Sequence, residues 1–408
     1  MRRELLTLTA ALLTAAVLTA AVLIATVLPG PSASAASSRV NQVYLIPAKG
    51  RITIVGHGYG HGHGMSQYGA EGAARKGLSW RQIVSFYYPG TTTGRRHGKV
   101  RVLIGADTSR DVIVSPRHRL KILDTGTGKI TVLPRNGARL WRINVNPRGK
   151  TVIGFRTNRW HRWRALRGEG VFTAAGKPIR LHHDHGTTLY RGQLASARPT
   201  GSRDRRDRDT INILTLENYV KGVLPREVPA SWSPAAVRAQ AVAARTYAAY
   251  EINHRGKSHY QLCDTTQCQV YGGYDAEHPL ANRAVNATRF QILRHRGAAA
   301  FTQFSSSSGG WTTANQFPYL PAKRDPYDAW PGNANHRWSM KINVARIERA
   351  WGIGNLKSIR VTRRDGHGQW RGRIERMQLR GPKKTVTISG DELRSVLGLK
   401  STWVNFRR

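Results

Sequence analysis

The chain has 408 residues and a formal net charge of +42, from 65 Lys and Arg against 23 Asp and Glu. This length allows a large core and two or three domains, and the lack of an internal repeat argues against a solenoid. The basic excess predicts a polyanionic partner, unless it only reflects an Arg-rich proteome.

The first segment is apolar. Arg2 and Arg3 precede an apolar run from Leu5 to Leu28, and small residues that suit a signal peptidase follow at 33–35. We predict a signal peptide over 1–35 and a protein secreted to the cell wall or the extracellular space. An uncleaved membrane anchor is the alternative, because the run is long enough to span a bilayer. Because a secreted protein leaves the compartment that holds nucleic acid, we do not expect nucleic acid as its partner. We expect anionic polymers of the cell wall instead.

A glycine-rich loop follows the first predicted strand, 51–55. The loop reads GHGYGHGHGMSQYGA, and glycine at alternate positions permits positive φ and close approach of the backbone. Helices are predicted over 67–77 and 80–88. His57, His61 and His63 invite a metal site, but Glu71 is the only acidic residue near them in the sequence.

The stretch 98–198 has β character. Short alternating runs at 100–104, 129–133 and 151–155 are separated by Gly, Pro and Asn turns, which predicts a β-rich module. Between 139 and 167, Arg and Trp recur together. Such residues stack on sugars or bind anions, and equally often they cover the solvent face of a sheet.

The clearest helix begins after Ser233, a good N-cap, with Pro234 at its first position and alanines at three- and four-residue spacing. Gln240 and Tyr247 are seven residues apart, so they share one helix face and can reach one groove. Packing alone would explain both residues as well.

Glu227 lies just before that helix, in a predicted loop stiffened by Pro225, Pro229 and Pro234. A lone acid on a rigid connection suits a general acid. The alternative is a glutamate that caps a turn.

Cys263 and Cys268 are the only cysteines of the chain. In a secreted protein, two cysteines five residues apart usually form a disulfide. Together with His259 they also have a His-x3-Cys-x4-Cys spacing, which could hold a structural zinc ion. An oxidising exterior favours the disulfide. Either arrangement would fix the loop that carries Gln269 and Tyr271.

Several long segments of the chain match the sequence motifs of one known protein family. They are ENYVKGVLPREVP (217–229), AVRAQAVAARTYA (236–248), CDTTQCQVYGG (263–273), ANRAVNATR (281–289), SSSSGG (305–310), GHGMSQYGA (62–70) and LRSVLGLKS (393–401). The set resembles the SpoIID/LytB family of cell-wall proteins, whose sporulation member is a lytic transglycosylase acting on peptide-free glycan strands. GHGMSQYGA usually follows the serine-rich motif and here precedes it, as in a permuted domain.

The resemblance implies roles for individual residues, with Glu227 as the catalytic acid. The implied substrate-binding residues are His61, Ser66, Gln67, Tyr68, Gln240, Arg245, Tyr247, Gln269, Tyr271, Ser306, Ser307 and Ser308. Arg245 would pair with the substrate carboxylate, and the serines would hydrogen-bond sugar hydroxyls or that carboxylate. Some relatives bind zinc through one His and two Cys in this region, which also supports a structural zinc ion on His259, Cys263 and Cys268. No other cofactor is expected.

The number of carboxyl groups predicts the reaction. An ordinary glycosidase needs two, whereas Glu217 is the only other acid close to Glu227 in the sequence, and it is expected to cap or orient its segment. A lytic transglycosylase needs one acid, which must be partly buried to stay protonated near neutral pH. A peptide-stripped glycan also exposes a lactyl carboxylate on each muramic acid, which suits a basic protein.

We therefore predict an α+β fold, with antiparallel β segments packed around the Ala-rich helix and a β-rich adjoining module. The expected divisions are 1–35 (signal peptide), 36–97 (permuted segment), 98–198 (β-rich module) and 199–408 (core). The predicted function is a lytic transglycosylase that converts peptide-stripped peptidoglycan strands to 1,6-anhydro products. The alternative is a non-catalytic peptidoglycan-binding protein or amidase enhancer, acting with another autolysin. Extracellular nucleic-acid binding, which rests on charge alone, ranks last.

Overall fold

The structure is a computed structural model that describes residues 37–46, 50–256 and 258–407. The predicted signal peptide, 1–35, lies outside the described residues. Among the helices that are described, none has both the length and the apolar character that a membrane crossing requires.

Strands are the commonest elements. In chain order they are β1 (Ser38–Leu45), β2 (Arg51–His57), β3 (Met65–Ser66), β4 (Thr92–Arg95), β5 (Lys99–Leu103), β6 (Val112–Val114), β7 (Lys121–Asp124), β8 (Ile130–Val132), β9 (Leu140–Val145), β10 (Thr151–Arg156), β11 (Trp160–Ala165), β12 (Gly170–Thr173), β13 (Ile179–His183), β14 (Gly186–Tyr190), β15 (Gln193–Ala197), β16 (Asp209–Thr215), β17 (Leu262–Cys263), β18 (Gln291–His295), β19 (Ala298–Ala299), β20 (Phe304–Ser305), β21 (Arg337–Asn343), β22 (Ser358–Arg364), β23 (Ile374–Arg380), β24 (Thr385–Ser389) and β25 (Val404–Arg407).

The helices lie between groups of strands. They are α1 (Gln67–Arg75), α2 (Trp80–Tyr87), α3 (Leu216–Glu227), α4 (Pro234–His254), α5 (Pro279–Ala287), α6 (Val344–Trp351) and α7 (Gly390–Leu397), with a short 3-10 turn at Gln369–Arg371. The α+β class predicted from the sequence is confirmed, and so are the predicted helices at 67–77 and 80–88 within a few residues.

Two large sheets are built mainly from the stretch predicted to be β-rich. One has the order β17-β5-β16-β15-β12-β7-β8 and the other the order β11-β10-β9-β6-β13-β14. The pairs are antiparallel except for β17 and β5, which run parallel. The first sheet includes β16, which leads directly into α3. The boundary proposed at residue 198 therefore crosses a continuous sheet.

Helix α4 is the centre of the fold because its small side chains let neighbours approach on several sides. One face, with Val237 and Ala241, packs in the core formed with the large sheets and α3. Another, with Ala239 and Val242, packs in a separate core with α1 and α2. Ser233 precedes α4 but does not cap it through its side chain. Its hydroxyl donates instead to the buried carboxylate of Glu71 in α1, at 3.1 Å.

The N-terminal segment is joined to the C-terminal part by strand pairing. Strand β2 lies between β21 and β25, and β3 runs parallel to β20. Strand β1 adds to the sheet β1-β22-β23-β24, whose core includes α6 and α7. The first and last described segments therefore meet, which places the GHGMSQYGA motif beside the serine-rich motif despite its displaced position in the sequence.

Candidate active site

A cleft of about 450 Å3 opens beside the C-terminal end of α3. Its lining comes from six separate parts of the chain, which the fold brings together. The lining residues are Tyr59, Gly60, His61, Glu227, Tyr247, Thr266, Gln267, Cys268, Gln269, Val270, Gln303, Phe304, Ser305, Ser306 and Arg394.

Glu227 is the last residue of α3, so the prediction that it lies in a loop is wrong. Pro225 is inside the helix, and the helical backbone continues for two residues beyond it. Burial raises the pKa of Glu227 to about 7, although hydrogen bonds from Gln67 and from the backbone of Val270 act in the opposite direction. The Gln67 amide nitrogen lies 3.3 Å from Oε2 of Glu227. A carboxyl group with this pKa is partly protonated at neutral pH and can act as a general acid.

Glu227 is the single carboxyl group among the residues that line the cleft. The other ionisable groups there are the two tyrosines, His61 and Arg394. Burial lowers the pKa of His61 to about 3, assisted by the positive charges of His63, Arg373 and Arg394. His61 is therefore neutral near pH 7, and Arg394 supplies the permanent charge of the cleft.

The glycine-rich loop forms one wall because it lies directly against the 303–308 segment. Gly60 has a φ of +108° and Gly64 has a φ of +67°, conformations that favour glycine. A Cβ on Gly60 would lie 2.6 Å from the Cβ of Ser305, and one on Gly64 would lie 2.1 Å from the carbonyl oxygen of Gln303. The alternate glycines thus serve close packing of two loops.

The histidines of this loop do not form a metal site. The backbone N–H of His63 donates to Nδ1 of His61 at 3.0 Å, and the two rings are stacked. His57 is turned away and contacts Gln369 at 2.8 Å. In the described part of the chain, no three His, Cys, Asp or Glu side chains are grouped so that they could hold a metal ion.

Several residues implied by the resemblance lie in or next to the cleft. His61, Tyr247, Gln269 and Ser306 line it. Gln67 reaches Glu227, and the Oε1 of Gln269 accepts a hydrogen bond from the hydroxyl of the buried Tyr219 at 3.2 Å. Tyr68 lies beside this group with its ring 5.0 Å from that of Trp232, and its backbone N–H donates to the carbonyl oxygen of Ser306.

Arg245 does not lie in the cleft, contrary to prediction. Its side chain is fully buried and pairs with both carboxylate oxygens of Glu217, at 2.8 and 3.0 Å. Its remaining donors contact the backbone carbonyls of Val285 and Gln291. An arginine so committed holds α4, α3 and α5 together and has no donor left for a substrate.

Ser66, Ser307 and Ser308 were also predicted to bind substrate, and all three hydroxyls are instead buried. Ser66 caps α1 and donates to Asp328 at 2.7 Å, and Ser307 donates to the same carboxylate at 2.9 Å. Ser308 donates to Asp325 at 2.8 Å. These serines shape the loop that presents Ser305 and Ser306 to the cleft.

Asp325 and Asp328 form the anchor beneath that loop. Burial, with the neighbouring Asp328, raises the pKa of Asp325 to about 7. Burial alone would raise the pKa of Asp328 too, but hydrogen bonds from His336, Ser66 and Ser307 hold it below its ordinary value. The pair thus comprises one ionised and one partly protonated carboxyl group at neutral pH.

Gln240 and Tyr271 are also core residues rather than groove residues. Gln240 is buried, and in the described structure neither atom of its amide has a hydrogen-bond partner. Tyr271 is buried with its hydroxyl 2.8 Å from Oδ1 of Asn212, and its ring packs on Tyr219. Packing, the alternative recognised for Gln240, explains its position on α4.

Cys263 and Cys268 form a disulfide. The third residue of the alternative zinc set, His259, contacts Asp209 through Nε2 at 2.6 Å and Thr200 through Nδ1 at 3.0 Å. These residues do not fit a zinc ion, because both sulfur atoms are bonded to each other and both imidazole nitrogens have partners. Cys268 and Gln269 are adjacent and both line the cleft, so the disulfide fixes one of its walls.

Sequence reasoning missed Arg394, Asp325 and Asp328. Arg394 lies in the terminal LRSVLGLKS motif, so its motif was recognised without its role. The two aspartates belong to no recognised motif, and nothing in their local sequence shows that they meet Ser66 and Ser307.

Comparisons with known proteins agree with the motifs. A family model described as Stage II sporulation protein (SpoIID) matches residues 204–295. The amidase enhancer of Bacillus subtilis (strain 168) is 38% identical over 135 residues, which are 32% of this chain and 17% of that relative. Stage II sporulation protein D of the same organism is 26% identical over 222 residues, 49% of this chain and 62% of the relative. An uncharacterized protein of Brachyspira hyodysenteriae is 42% identical over 117 residues, 27% of this chain and 32% of the relative.

The chain spans less than two thirds of the length of each of these relatives. The region matched by the family model contains α3, with Glu227, as well as α4 and the disulfide. It contains neither the glycine-rich loop nor Arg394, which lie on either side of it in the sequence.

Proposed function

This chain belongs to the SpoIID/LytB family, and on that premise we propose that it is a secreted lytic transglycosylase of the cell wall. Its substrate would be peptidoglycan strands from which the peptides have been removed, and its product would end in 1,6-anhydro-muramic acid. Glu227 is the acid in this proposal.

The reaction needs one carboxyl group used twice. Protonated Glu227 donates its proton to the glycosidic oxygen as the bond from that oxygen to C1 breaks. The resulting carboxylate then accepts the proton of the C6 hydroxyl of the same sugar, whose oxygen closes on C1. The acid is regenerated and no water is consumed. The observation that carries the proposal is that Glu227 is the sole carboxyl group lining the cleft and has a pKa of about 7.

An inverting or retaining hydrolase is disfavoured by the same observation. Such enzymes place two carboxyl groups roughly 5 to 9.5 Å apart across the scissile bond. Glu217 is at the opposite end of α3 from Glu227 and is paired with Arg245, so it is not available as the second group.

Arg394 replaces Arg245 as the residue that binds the substrate carboxylate. It lines the cleft with Glu227 and forms no ion pair with an acidic side chain in the described structure. Its guanidinium suits a planar carboxylate. Removal of the peptide leaves such a carboxylate on each muramic acid, and binding of this group by Arg394 would explain the proposed preference for peptide-free strands.

The second candidate is a non-catalytic wall-binding protein that enhances another autolysin. It is favoured by the similarity to a relative named amidase enhancer, which is higher in identity than the similarity to Stage II sporulation protein D. In both candidates the partners are glycan strands and anionic wall polymers.

Mass spectrometry of products from purified peptide-free strands tests the proposal. Wild-type protein should release fragments with anhydro ends in the absence of any other enzyme, and Glu227→Gln should release none. The variant should still sediment with the strands, because glutamine keeps the shape of the side chain. Reducing-end fragments would identify a hydrolase. Sedimentation without cleavage by the wild type would favour the second candidate.

A further inference from the structure

A second cavity, of about 900 Å3, lies at the other end of α3 from the cleft. We call it the basic pocket. It is formed where three segments meet, 96–99, 215–221 and 286–290. Glu217 is in its wall and is ten residues from Glu227, which places the two cavities about 15 Å apart along the helix axis.

Four cationic side chains line the basic pocket. They are Arg96, Lys99, Lys221 and Arg289. Each of them forms no ion pair with an acidic side chain in the described part of the chain. Lys99 and Arg289 are exposed, and the other two are half-buried. Four cations that converge on one concavity repel one another, and an anion bound there removes that repulsion.

The acidic residue in the wall does not offset these charges. Glu217 accepts two hydrogen bonds from the buried Arg245 and one from the backbone N–H of Phe290. Its charge is therefore already neutralised from the inner side. The pocket presents a net positive surface, with the side chains of Thr215, Asn218 and Asn286 as uncharged hydrogen-bonding groups.

The two aromatic rings of the pocket, Phe290 and His97, lie against each other. The ring of Phe290 has the imidazole of His97 at 3.9 Å and the guanidinium of Arg289 at 4.5 Å from its centroid. Proteins that bind single-stranded nucleic acid offer open aromatic faces on which bases stack. The basic pocket instead offers mainly cations and amides, because the ring of Phe290 is already in contact with His97 and Arg289.

We infer that the basic pocket binds a polymer of phosphodiester groups joined by short polyols. The cations would contact successive phosphates, and the amide and hydroxyl side chains would contact polyol hydroxyls. This site is distinct from the cleft and does not depend on the proposed cleavage reaction. The basic pocket would be one defined site at which the excess positive charge of the chain binds a wall polyanion.

Binding of fluorescently labelled poly(glycerol phosphate), measured at several salt concentrations, tests this inference. The pocket variant is Lys99→Gln/Lys221→Gln/Arg289→Gln. The matched control, Lys129→Gln/Arg135→Gln/Arg159→Gln, also removes three cations, which are exposed and lie outside the pocket. The pocket variant should bind poly(glycerol phosphate) at least roughly tenfold more weakly than the wild type. Its affinity should also depend less steeply on the salt concentration than the affinity of the control does.

A second variant tests whether the weaker binding results only from misfolding or from a lower net charge. Asn286→Trp keeps every charge and fills part of the cavity, so it should also weaken binding while its circular dichroism matches wild type. Equal weakening by the pocket variant and the matched control would overturn the inference. So would tighter, pocket-dependent binding of single-stranded DNA. Glycan cleavage is measured separately, and the pocket variant should leave it intact.

Discussion

Glu227 shows how one residue can depend on a partner from a distant part of the sequence. Its carboxyl group is half-buried at the end of α3, and Gln67, from the displaced GHGMSQYGA motif, donates to it. That hydrogen bond stabilises the ionised form, so it limits the rise in the pKa of Glu227 that burial causes. The pH range of the acid is therefore adjusted by residue 67.

The first prediction concerns this pH range. Because Glu227 must be protonated to donate, cleavage by the wild type should decline as the pH rises through about 7. Gln67→Leu removes the hydrogen bond to the carboxylate, so the pKa of Glu227 should rise and the decline should move to higher pH. The pH profile of kcat/KM measures this. A decline that stays in place or moves to lower pH would contradict the assigned role of Gln67.

The second prediction concerns Arg394. Arg394→Gln should raise KM for peptide-free strands by roughly 10- to 100-fold, the usual worth of a charge-assisted hydrogen bond, with a smaller change in kcat. Oligomers of N-acetylglucosamine, which have no lactyl carboxylate, should bind both proteins alike. Arg380→Gln, which removes an exposed arginine outside the cleft, is the control. An equal loss of affinity for the peptide-free strands and for the N-acetylglucosamine oligomers would show that Arg394 does not recognise the lactyl carboxylate.

At the scale of elements, α3 and α4 are fixed to each other by charge as well as by packing. Arg245 and Glu217 are both buried, and Arg245 also holds the backbone at the end of α5. The pairing keeps Glu227 in place, because a shift of α3 moves both ends of the helix.

The third prediction follows from this ion pair. Arg245→Met should lower the free energy of unfolding by about 3 to 5 kcal/mol, because it leaves the carboxylate of Glu217 buried without its partner. Adding Glu217→Leu should recover much of that loss. Urea denaturation of the two single variants and the double variant gives the coupling. Additive losses would mean that the two side chains do not stabilise each other.

The fourth prediction concerns the serine-rich loop and its two aspartates. Asp325 has a pKa of about 7 in the folded protein, above the ordinary value of 3.8. The folded chain therefore holds a proton that the unfolded chain releases between these values, and Asp325 makes stability fall as the pH rises across that window. Asp325→Asn removes this contribution.

The free energy of unfolding of Asp325→Asn, relative to that of the parent, should therefore rise by about 1 kcal/mol or more between pH 5 and pH 8. One pKa unit corresponds to about 1.4 kcal/mol. Denaturation at both pH values, in a Glu227→Gln background, measures the difference and excludes the titration of Glu227. Asp391→Asn, an exposed position, is the control. A difference that is constant with pH, or that shrinks as the pH rises, would contradict the prediction.

The elements were more predictable than the site. Strand alternation and the alanine spacing of α4 are local signals, and the resemblance brought Glu227, Gln67 and Tyr247 to one groove. Arg245 was misplaced because a motif residue looks the same whether it faces a substrate or a buried acid. Ser307 was misplaced for a similar reason, since its partner Asp328 is 21 residues away. Burial of polar side chains depends on such distant partners.

On the scale of the whole molecule, the N-terminal segment is an integral part of the fold. Met65, Tyr87 and Tyr88 are fully or almost fully buried in the core that α1 and α2 share with α4. Strand β2 is the central strand of its sheet, and without it β21 and β25 have no partner in that sheet.

The fifth prediction tests this integration by dividing the chain after residue 97. The polypeptides 37–97 and 98–408 should each lack a cooperative unfolding transition when alone. Mixed together they should regain it and recover glycan cleavage, because the burial and strand pairing are restored. Circular dichroism with heating, and product analysis, follow the two properties. A stable, active 98–408 polypeptide would show that the first segment is dispensable.

The pairing of β2 with β25 has a further consequence, for the order of events during synthesis. A ribosome produces His61 before Glu227 and Glu227 before Arg394, and the sheet of β2 cannot be complete until β25 has been made. The cleft therefore cannot be complete until the segments on both sides of Glu227 have been made. A chain that ends before residue 394 would contain Glu227 and still lack Arg394 and strand β25, so its cleft would be incomplete.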